Sequence, residues 1–301
     1  MKWHVAALAA LLIVGCGKQQ EETYQPTFSP RGADKPREYI VGIHPLHNPQ
    51  HLVEVYGPVV DYLNVTIPQA HFRLEASRNY EEFEKKLYSG HFDFAMPNSY
   101  QTVRSLKNDY RVFAKMGNDE MFRGIILVRK DSGIRTVADL KGKKVSYPAL
   151  TALAATMMPQ YYLHTHGIDV NRDIENLYVG SQESSIMNVY LGNVAAGGTF
   201  PLPWEAFQKE HPGKARELEL KWETESMINQ GVVARDDVPE KLASRVAQLL
   251  DTLHTTNEGK AILARMPLSR FELADDKSYR VVQDFLRKFS EKVYPLDKPE
   301  K

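Results

Sequence analysis

Polar and aromatic side chains follow several of the predicted strands, at the positions where the chain turns from strand to helix. Ligands of α/β folds bind in the loops beyond the carboxyl ends of the strands, so these side chains are the first candidates for a binding site. Asn98 is the strongest candidate, because it comes directly after the buried strand FDFAMP. The candidates in these loops are His44, Tyr80, Asn98, Ser99, Tyr100, Thr151, Gln182 and Thr199. Arg78 and Arg123 would add positive charge for binding an anion.

The stretch KKVSYPALTALAATMMPQYYL changes from a strand to a helix through a bend. Val145–Tyr147 have strand character, Pro148 interrupts the run, and a helical pattern begins near Thr151. The first N–H groups of a helix have no partner within it and lie at the positive end of the helix dipole, so this junction can bind an anion. The four residues from Ala152 to Ala155 offer no side-chain donors. We therefore expect the bend to face a ligand through its backbone and through Thr151.

Three histidines, His44, His47 and His51, form the pattern HxxHxxxH and raise the question of a metal site. Pro45 and Pro49 break the regular spacing, and no carboxylate or cysteine completes a ligand set, so we predict neither a metal nor a cofactor. The sequence also lacks the GxSxG, P-loop and GxGxxG motifs. We therefore predict that the protein is not an enzyme, and keep a periplasmic metal carrier or enzyme as a less favoured alternative.

The first residues, MKWHVAALAALLIVGCGK, have the pattern of an export signal. Lys2 supplies positive charge, and the apolar run of about ten residues after it is too short to span a bilayer of roughly 30 Å. The segment Ile13-Val14-Gly15-Cys16 resembles the bacterial lipoprotein box, which implies lipidation of Cys16 and removal of residues 1–15. The alternative is an ordinary secretory signal. Cys16 is the only cysteine, so the chain has no intrachain disulfide and no nucleophilic cysteine in its body.

After the predicted export signal, the composition indicates a polar segment followed by a folded body. Residues 16–37 are polar and contain three prolines, so we predict that they form a flexible tether. The 38 basic residues balance the 38 acidic ones, which argues against nucleic acid as a partner. A hydrophobic content of 43% in 301 residues is enough for one large domain or two ordinary ones.

Short strand patterns alternate with helical patterns through the body. EYIVGIHP, HFRLEAS and FDFAMP are predicted strands, and HLVEVYGPVVDYLN, YEEFEKKLYSG and SYQTVRSL are predicted helices. Asn48 and Pro49 form a capping signal at the start of the first helix. A further helix is predicted over residues 152–166. The alternation with short connections predicts a parallel sheet with right-handed crossovers.

A second α/β unit follows the first along the chain. Two long predicted strands, near 123–130 and 227–235, are expected to pass between the units. The sequence therefore predicts an α/β fold of two lobes, the second inserted in the first. Lobe 1 is predicted to comprise residues 38–125 with 232–301, and lobe 2 residues 126–231.

Four stretches resemble the phosphonate-type solute-binding proteins of ABC importers. They are the segment from EYIVGIHP to DYL, SGHFDFAMPNSY, LVRKDSGIRTVADLKGKKVSY and VGSQESSIMNVYLGNV, within residues 38–255. That family is similar to type II periplasmic binding proteins, whose two lobes close on a ligand by a hinge motion. The resemblance implies a small-molecule ligand and an ABC permease as partners, and it places Tyr80 and Asn98 at pocket-lining positions.

Several residues depart from the pocket of that family. Ala152-Leu153-Ala154 replaces its hydroxyl-rich Ser-Thr-Ser anion loop, Gln182 replaces a histidine, and Ala195 replaces an acidic residue. Each lost charge-assisted hydrogen bond is worth about 1.5–3 kcal/mol, so three such losses would normally abolish tight phosphonate binding. Unless Arg78, Arg123 or backbone amides replace them, the ligand differs from the family's usual one.

Together these patterns predict a monomeric solute-binding lipoprotein, anchored to a membrane on the periplasmic side of the cell envelope. It would capture a small molecule (a phosphonate or a related oxyanion, by the family resemblance) and present it to an ABC permease. The alternative is a ligand-sensing module for a membrane receptor kinase. The sequence leaves open the identity of the ligand and the choice between uptake and sensing.

Overall fold

The computed structural model of the protein describes residues 36–296. The predicted signal peptide, the lipidation site at Cys16 and nearly all of the tether lie outside the described residues, so they stay predictions. Within the described range, no helix combines the length and the apolar character needed to cross a membrane.

The strands of the described region form two sheets. In chain order they are β1 (Arg37–Ile43), β2 (Ala70–Ala76), β3 (Phe94–Met96), β4 (Tyr110–Met116), β5 (Arg123–Arg129), β6 (Lys144–Tyr147), β7 (Glu175–Tyr178), β8 (Ala196–Thr199), β9 (Leu218–Ser226), β10 (Gly231–Arg235) and β11 (Phe271–Leu273). The first sheet has the order β11-β4-β10-β3-β1-β2, and the second has the order β7-β6-β8-β5-β9. All strands of the second sheet fall between β4 and β10 along the chain, which confirms the predicted α/β fold with an inserted second unit.

Helices connect and cover the strands. In chain order the α-helices of the described region are α1 (Pro49–Thr66), α2 (Tyr80–Tyr88), α3 (Ser99–Ser105), α4 (Met158–Thr165), α5 (Gln182–Tyr190), α6 (Pro201–Glu210), α7 (Pro212–Ala215), α8 (Glu240–Thr252), α9 (Asn257–Arg265) and α10 (Arg280–Lys292). We call the first sheet with α1–α3 and α8–α10 the first half of the molecule, and the second sheet with α4–α7 the second half.

Both sheets are mixed, and the predicted parallel pairing holds for the strands from which it was made, β1, β2 and β3. β1 is parallel to β2 and β3, and β6 is parallel to β7 and β8. In contrast, β10 is antiparallel to β3 and β4, and β5 is antiparallel to β8 and β9. Parallel neighbours need a long crossover connection. The chain enters β5 and β10 directly from the other sheet, without such a crossover, and therefore arrives from the opposite end.

The passages between the sheets lie beside the long strands and not within them. β5 pairs with β9 from Arg123 to Arg129, entirely within the second sheet, and β10 begins only at Gly231. The connecting segments are therefore residues 117–122 and 227–230. The lobe boundaries expected from the sequence stay a prediction.

Strand β5 shows how the second sheet is covered on both faces. Ile125, Ile126, Leu127 and Val128 are each at most 1% exposed. Alternate residues of the strand enter different clusters: Ile126 and Val128 join the large core, and Ile125 and Leu127 join a smaller one with residues of α5 and α6. A continuous apolar run of this kind is typical of a strand buried on both sides.

The first helix begins where the capping signal predicts. The Asn48 side chain accepts a hydrogen bond from the His51 N–H at 3.0 Å, and Pro49 occupies the first helical position. The side chain satisfies a backbone donor that has no partner within the helix. This cap determines where the loop after β1, which carries His44 and His47, joins α1.

The helix predicted over residues 152–166 consists of two different pieces. Leu153–Met157 form a π-helical turn, and only Met158–Thr165 are α-helical. Pro159 gives the physical reason, because a proline has no N–H to donate to the carbonyl four residues earlier, and its ring crowds that carbonyl. The wider turn relieves this conflict, with the Met158 N–H donating to the Leu153 carbonyl. Such π turns occur frequently at functional sites.

Candidate functional site

The bend after β6 rests directly on the backbone of two neighbouring strands. A Cβ atom added to Gly198 of β8 would lie 2.3 Å from the Ala155 carbonyl oxygen, and one added to Gly124 of β5 would lie 2.6 Å from the Ala154 carbonyl oxygen. Only glycine permits this close approach. The strands therefore hold the Ala152–Ala155 stretch in a defined place at the edge of the second half.

Asn98 connects the two halves. Its Oδ1 accepts from the Gln101 N–H at 3.0 Å, while the Gln101 side chain accepts from the Asn98 N–H at 3.1 Å, which completes a capping box at the start of α3. Its Nδ2 donates to the Thr151 carbonyl oxygen at 3.1 Å. The side chain that the sequence placed in a ligand loop thus donates a hydrogen bond to the bend of the other half.

Thr151 is held by a second contact from the first half. Its hydroxyl donates to the Glu84 carboxylate, and the same carboxylate oxygen accepts from the Gln101 side-chain amide at 2.8 Å. Glu84 lies on α2 and Asn98 caps α3, so two helices of the first half contact one residue of the bend. This contact, together with the Asn98 bond, links the two halves at the bend.

A second polar chain joins the halves at the starts of α2 and α5. Thr199 donates to the Gln182 Oε1 atom at 2.9 Å, and the Gln182 side-chain amide is hydrogen-bonded to the Tyr80 hydroxyl. All three residues are at most 5% exposed. Burial raises the pKa of the Tyr80 hydroxyl well above its usual value, so this hydroxyl stays protonated under physiological conditions.

His44 is buried beside Tyr80 and is uncharged at neutral pH. Its Nδ1 lies 3.3 Å from the Met96 carbonyl oxygen, to which it donates, and its ring lies edge-on to the Tyr80 ring with 6.0 Å between centroids. Burial lowers the pKa of His44 from 6.5 to about 4. The imidazole therefore offers hydrogen bonds to this region but no positive charge for an anion.

Four of the predicted site residues line a common cavity between the halves, which we call the inner cavity. Its walls include His44, Tyr80, Asn98, Gln182, the Ala152–Ala155 stretch, Phe122, Phe200 and Gln230. The cavity has a volume of about 10 Å³, which is the space of roughly one water molecule. Thr151 and Thr199 do not line it but are bonded to residues that do. The inner cavity is thus much smaller than a tetrahedral oxyanion.

The two predicted arginines do not line the inner cavity. The Arg78 side chain is 86% exposed and its Nε lies 2.7 Å from the Glu82 carboxylate. Arg123 donates through Nε to Glu223 at 3.0 Å and through a terminal nitrogen to the Glu120 carbonyl oxygen. Both guanidinium groups are paired with acceptors outside the inner cavity, and Arg78 instead lines a separate cavity of about 230 Å³ with His47 and Gln182, so their anion-binding role stays a prediction.

Ser99 and Tyr100 also lie away from the inner cavity. The Ser99 hydroxyl donates to the Ile228 carbonyl oxygen at 2.9 Å and thereby fixes one connecting segment to α3. Tyr100 lines a different cavity of about 540 Å³, between α3 and α10. The positions follow from helix geometry, because successive residues at the start of a helix point in different directions and only Asn98 faces the bend.

The three histidines do not assemble a metal site. Residues 36–296 contain no group of three or more His, Cys, Asp or Glu side chains arranged to bind a metal ion. The His47 and His51 rings are 4.5 Å apart, edge to face. Burial, together with the two neighbouring histidines, lowers the pKa of His47 from 6.5 to about 3, so this imidazole is also neutral at pH 7.

Sequence reasoning missed three residues of the site. Glu84 lies in the middle of an amphipathic helix, where a carboxylate normally indicates only a solvent-exposed face. Phe122 and Gln230 belong to the segments that connect the sheets, which carry no periodic pattern. The one available signal in the sequence was the polar pair Asn229-Gln230 directly before the apolar run GVVA. The structure buries both residues, which are at most 2% exposed.

Known proteins share the fold and the sequence pattern of this chain. The family model described as "ABC transporter, phosphonate, periplasmic substrate-binding protein" matches residues 41–279. The probable ABC transporter phosphite binding protein PhnD1 of Prochlorococcus marinus (strain MIT 9301) is 23% identical over 192 residues. That alignment spans 60% of this chain and 65% of the relative, slightly less than two thirds of its length.

Two solved structures illustrate the shared architecture. PhnD1 of P. marinus (MIT 9301) in complex with methylphosphonate has a TM-score of 0.78 at 20% identity, and the match covers 85% of this chain and 99% of that one. A binding protein component of an ABC phosphonate transporter from Pseudomonas aeruginosa has a TM-score of 0.77 at 17% identity, with 84% and 87% covered. Both confirm the predicted periplasmic-binding-protein fold.

The family match extends over well more than half of the chain. The protein therefore belongs to the family of periplasmic substrate-binding proteins of phosphonate ABC transporters. Members of this family are solute-binding proteins and not enzymes, as the sequence predicted.

Proposed function

We propose that the protein is the extracytoplasmic solute-binding component of an ABC importer and captures a small molecule between its two halves. Family membership supports the role. The observation that carries the mode of capture is the inner cavity, whose walls come from both halves and whose rim is joined by the Asn98–Thr151 and Tyr80–Gln182 contacts. A ligand that contacts both halves stabilises the closed arrangement, which a permease can then distinguish from the open one.

The proposal includes attachment to a membrane on the periplasmic side through a lipid on Cys16. The sequence pattern at residues 13–16 and the polar tether support this attachment. We further propose that the protein acts as a monomer, with an ABC permease as its membrane partner. A tether of this kind would leave the body free to close on its ligand and then to reach the permease.

Phosphorus oxyanions are the first ligands to test, because PhnD1 is described as a probable phosphite binding protein and its solved structure is a complex with methylphosphonate. Two features favour weaker binding of such anions by this chain. The bend presents methyl groups where hydroxyl donors would be needed, and each missing charge-assisted hydrogen bond is worth about 1.5–3 kcal/mol. In addition, His44 is neutral and both nearby arginines are paired with acidic groups or carbonyls.

A thermal-shift panel tests the proposed function. It compares phosphate, phosphite, methylphosphonate, alkylsulfonates and uncharged small molecules at millimolar concentrations. A ligand at 100 times its dissociation constant adds about 2.7 kcal/mol to the free energy of unfolding, which raises Tm by about 5–10 °C for a body of this size. Stabilisation by a small molecule supports the role as a solute-binding protein. If no compound of any class raises Tm, the proposed capture of small molecules is wrong.

A further inference from the structure

Gln230 has a buried acceptor with no partner. The residue is 1% exposed, and its Oε1 atom makes no hydrogen bond with any other group of the described residues. An unsatisfied buried acceptor costs about 1–3 kcal/mol, so such a group is rarely retained without a use. Gln230 lies in the connecting segment between the sheets, where a contact with a ligand would bear on both halves.

Gln230 lines two cavities. One is the inner cavity, and the other is a cavity of about 190 Å³ that we call the hinge cavity. The apolar part of its wall includes Leu46, Val55, Met116, Leu202, Pro203 and Met266. The first half contributes Leu46, Val55, Met116 and Met266, and α6 of the second half contributes the other two. A molecule in the hinge cavity therefore contacts both halves.

The chemistry of the hinge cavity is that of an uncharged binding site. Its charged lining residues, Lys209, Glu210 and Arg265, are exposed and lie at the rim. The other polar lining residues are Gln230, Tyr56 and His47, whose imidazole is neutral, together with His51, which lies beside Glu54 on α1. Small-molecule sites have this composition, with a mostly apolar wall and few polar groups that set orientation.

We infer that the hinge cavity binds a small uncharged molecule that has an apolar body and one N–H or O–H group, which donates to the unpaired Gln230 side-chain oxygen. The inference rests on the proposed solute-binding function and names its substrate class. It agrees with the apolar Ala152–Ala155 stretch that lines the inner cavity beside Gln230. In the hinge cavity the charged groups that a phosphonate would need lie at the rim, whereas the wall offers the acceptor that an amide or alcohol would need.

Methionine methyl groups provide a local readout of occupancy in the intact protein. Met116 and Met266 line the hinge cavity, whereas Met187 does not line it. In protein labelled with ¹³C at the methionine methyls, butanamide and cyclohexanol should shift the Met116 and Met266 signals in a saturable manner and leave Met187 unchanged. N,N-dimethylbutanamide has the same apolar body but no donor, and should bind more weakly.

Three variants connect this binding to the cavity. Ala206→Phe fills the cavity from α6 and should abolish the shifts, and Gln208→Phe, on the exposed side of the same helix, should preserve them. Gln230→Met removes the acceptor at similar size and should weaken butanamide binding roughly threefold to tenfold, with little effect on N,N-dimethylbutanamide.

The outcomes separate this inference from the proposed function. Absence of shifts at Met116 and Met266 with every donor probe, or binding that survives Ala206→Phe, overturns the hinge-cavity assignment. If methylphosphonate nevertheless raises Tm and Asn98→Ala reduces that effect, the solute-binding function stands and only the substrate class is wrong. If no probe binds and no panel compound raises Tm, both are wrong.

Discussion

Asn98 performs two separable tasks, and replacing it tests how the halves are held together. Asn98→Ser keeps an oxygen that can cap α3 but is too short to donate to the Thr151 carbonyl. Asn98→Ala removes both functions. A helix cap is worth about 1 kcal/mol and a neutral hydrogen bond about 0.5–1.5 kcal/mol. The free energy of unfolding should therefore fall by about 1 kcal/mol in the serine variant and about 2 kcal/mol in the alanine variant.

The decisive measurement is local. Hydrogen exchange of the peptide that contains Thr151–Met157 reports opening of the contact between the halves. Loss of about 1 kcal/mol should raise its exchange rate roughly fivefold in Asn98→Ser. Asn79→Ser is the matched control, since Asn79 caps α2 through the Glu82 N–H at 2.9 Å. Unchanged exchange in Asn98→Ser, or an equal rise in Asn79→Ser, would refute the assignment of Asn98 as a link between the halves.

Three further predictions concern buried charge, backbone contact and anchoring. The pKa of His44 is about 4 in the folded protein and 6.5 in the unfolded chain, so the unfolded chain takes up the proton first as the pH falls. The free energy of unfolding should therefore be unaffected by His44 above pH 6.5 and should fall by up to about 3 kcal/mol towards pH 4. His44→Asn retains a donor for the Met96 carbonyl oxygen. Measured by urea unfolding, the fall in the free energy of unfolding between pH 6.5 and pH 4 should be smaller in this variant. Gly198→Ala should lower stability by about 1–3 kcal/mol, because its Cβ would lie 2.3 Å from the Ala155 carbonyl oxygen. Cys16→Ser should prevent partition into a detergent phase.

Each of these predictions has a result that contradicts it. A urea-unfolding slope against pH that is the same in His44→Asn and in the wild type would show that His44 does not titrate as described. Gly213→Ala is the control for Gly198→Ala, since nothing lies within 4 Å of its added Cβ, and equal losses would rule out the contact with the bend. Detergent partition of Cys16→Ser equal to that of the wild type would exclude lipidation at this residue.

The sequence predicted the elements whose signals are local. The Asn48-Pro49 start of α1 and the buried strand before Asn98 follow from capping chemistry and hydrophobic patterns over a few residues. β4, β9, β11 and α6 were not identified. Their short or half-exposed stretches lack a clear period, and their pairing is decided by partners far along the chain: β11 pairs with β4, and β9 with β5. The π turn was also not predicted. It arises because Pro159 cannot donate to the carbonyl four residues earlier, and the sequence alone does not show how the backbone accommodates this.

In the candidate site, too, local signals were predicted from the sequence and contacts between distant residues were not. Sequence position identified His44, Tyr80, Asn98 and Gln182 as neighbours because each follows a strand and all such loops converge. It did not reveal what these side chains bond to. The partners of Asn98 and Tyr80 come from the other half of the molecule, and they depend on how closely the halves approach. The arginines were predicted as site residues from their charge alone, and the sequence did not reveal that acidic neighbours pair with them outside the inner cavity.

The apolar bend links the closeness of the halves to the choice of ligand. Hydroxyl groups at Ala152–Ala155 would need hydrogen-bond partners on closure, whereas methyl groups can be buried without any. The present residues therefore let the halves meet around a cavity of about 10 Å³, joined by direct bonds at its rim. A solute that enters the inner cavity must replace those hydrogen bonds with its own. A dianion would find only neutral groups in the cavity wall to balance its charge. A solute in the hinge cavity contacts both halves while leaving the bonds intact, so closure and binding support each other there.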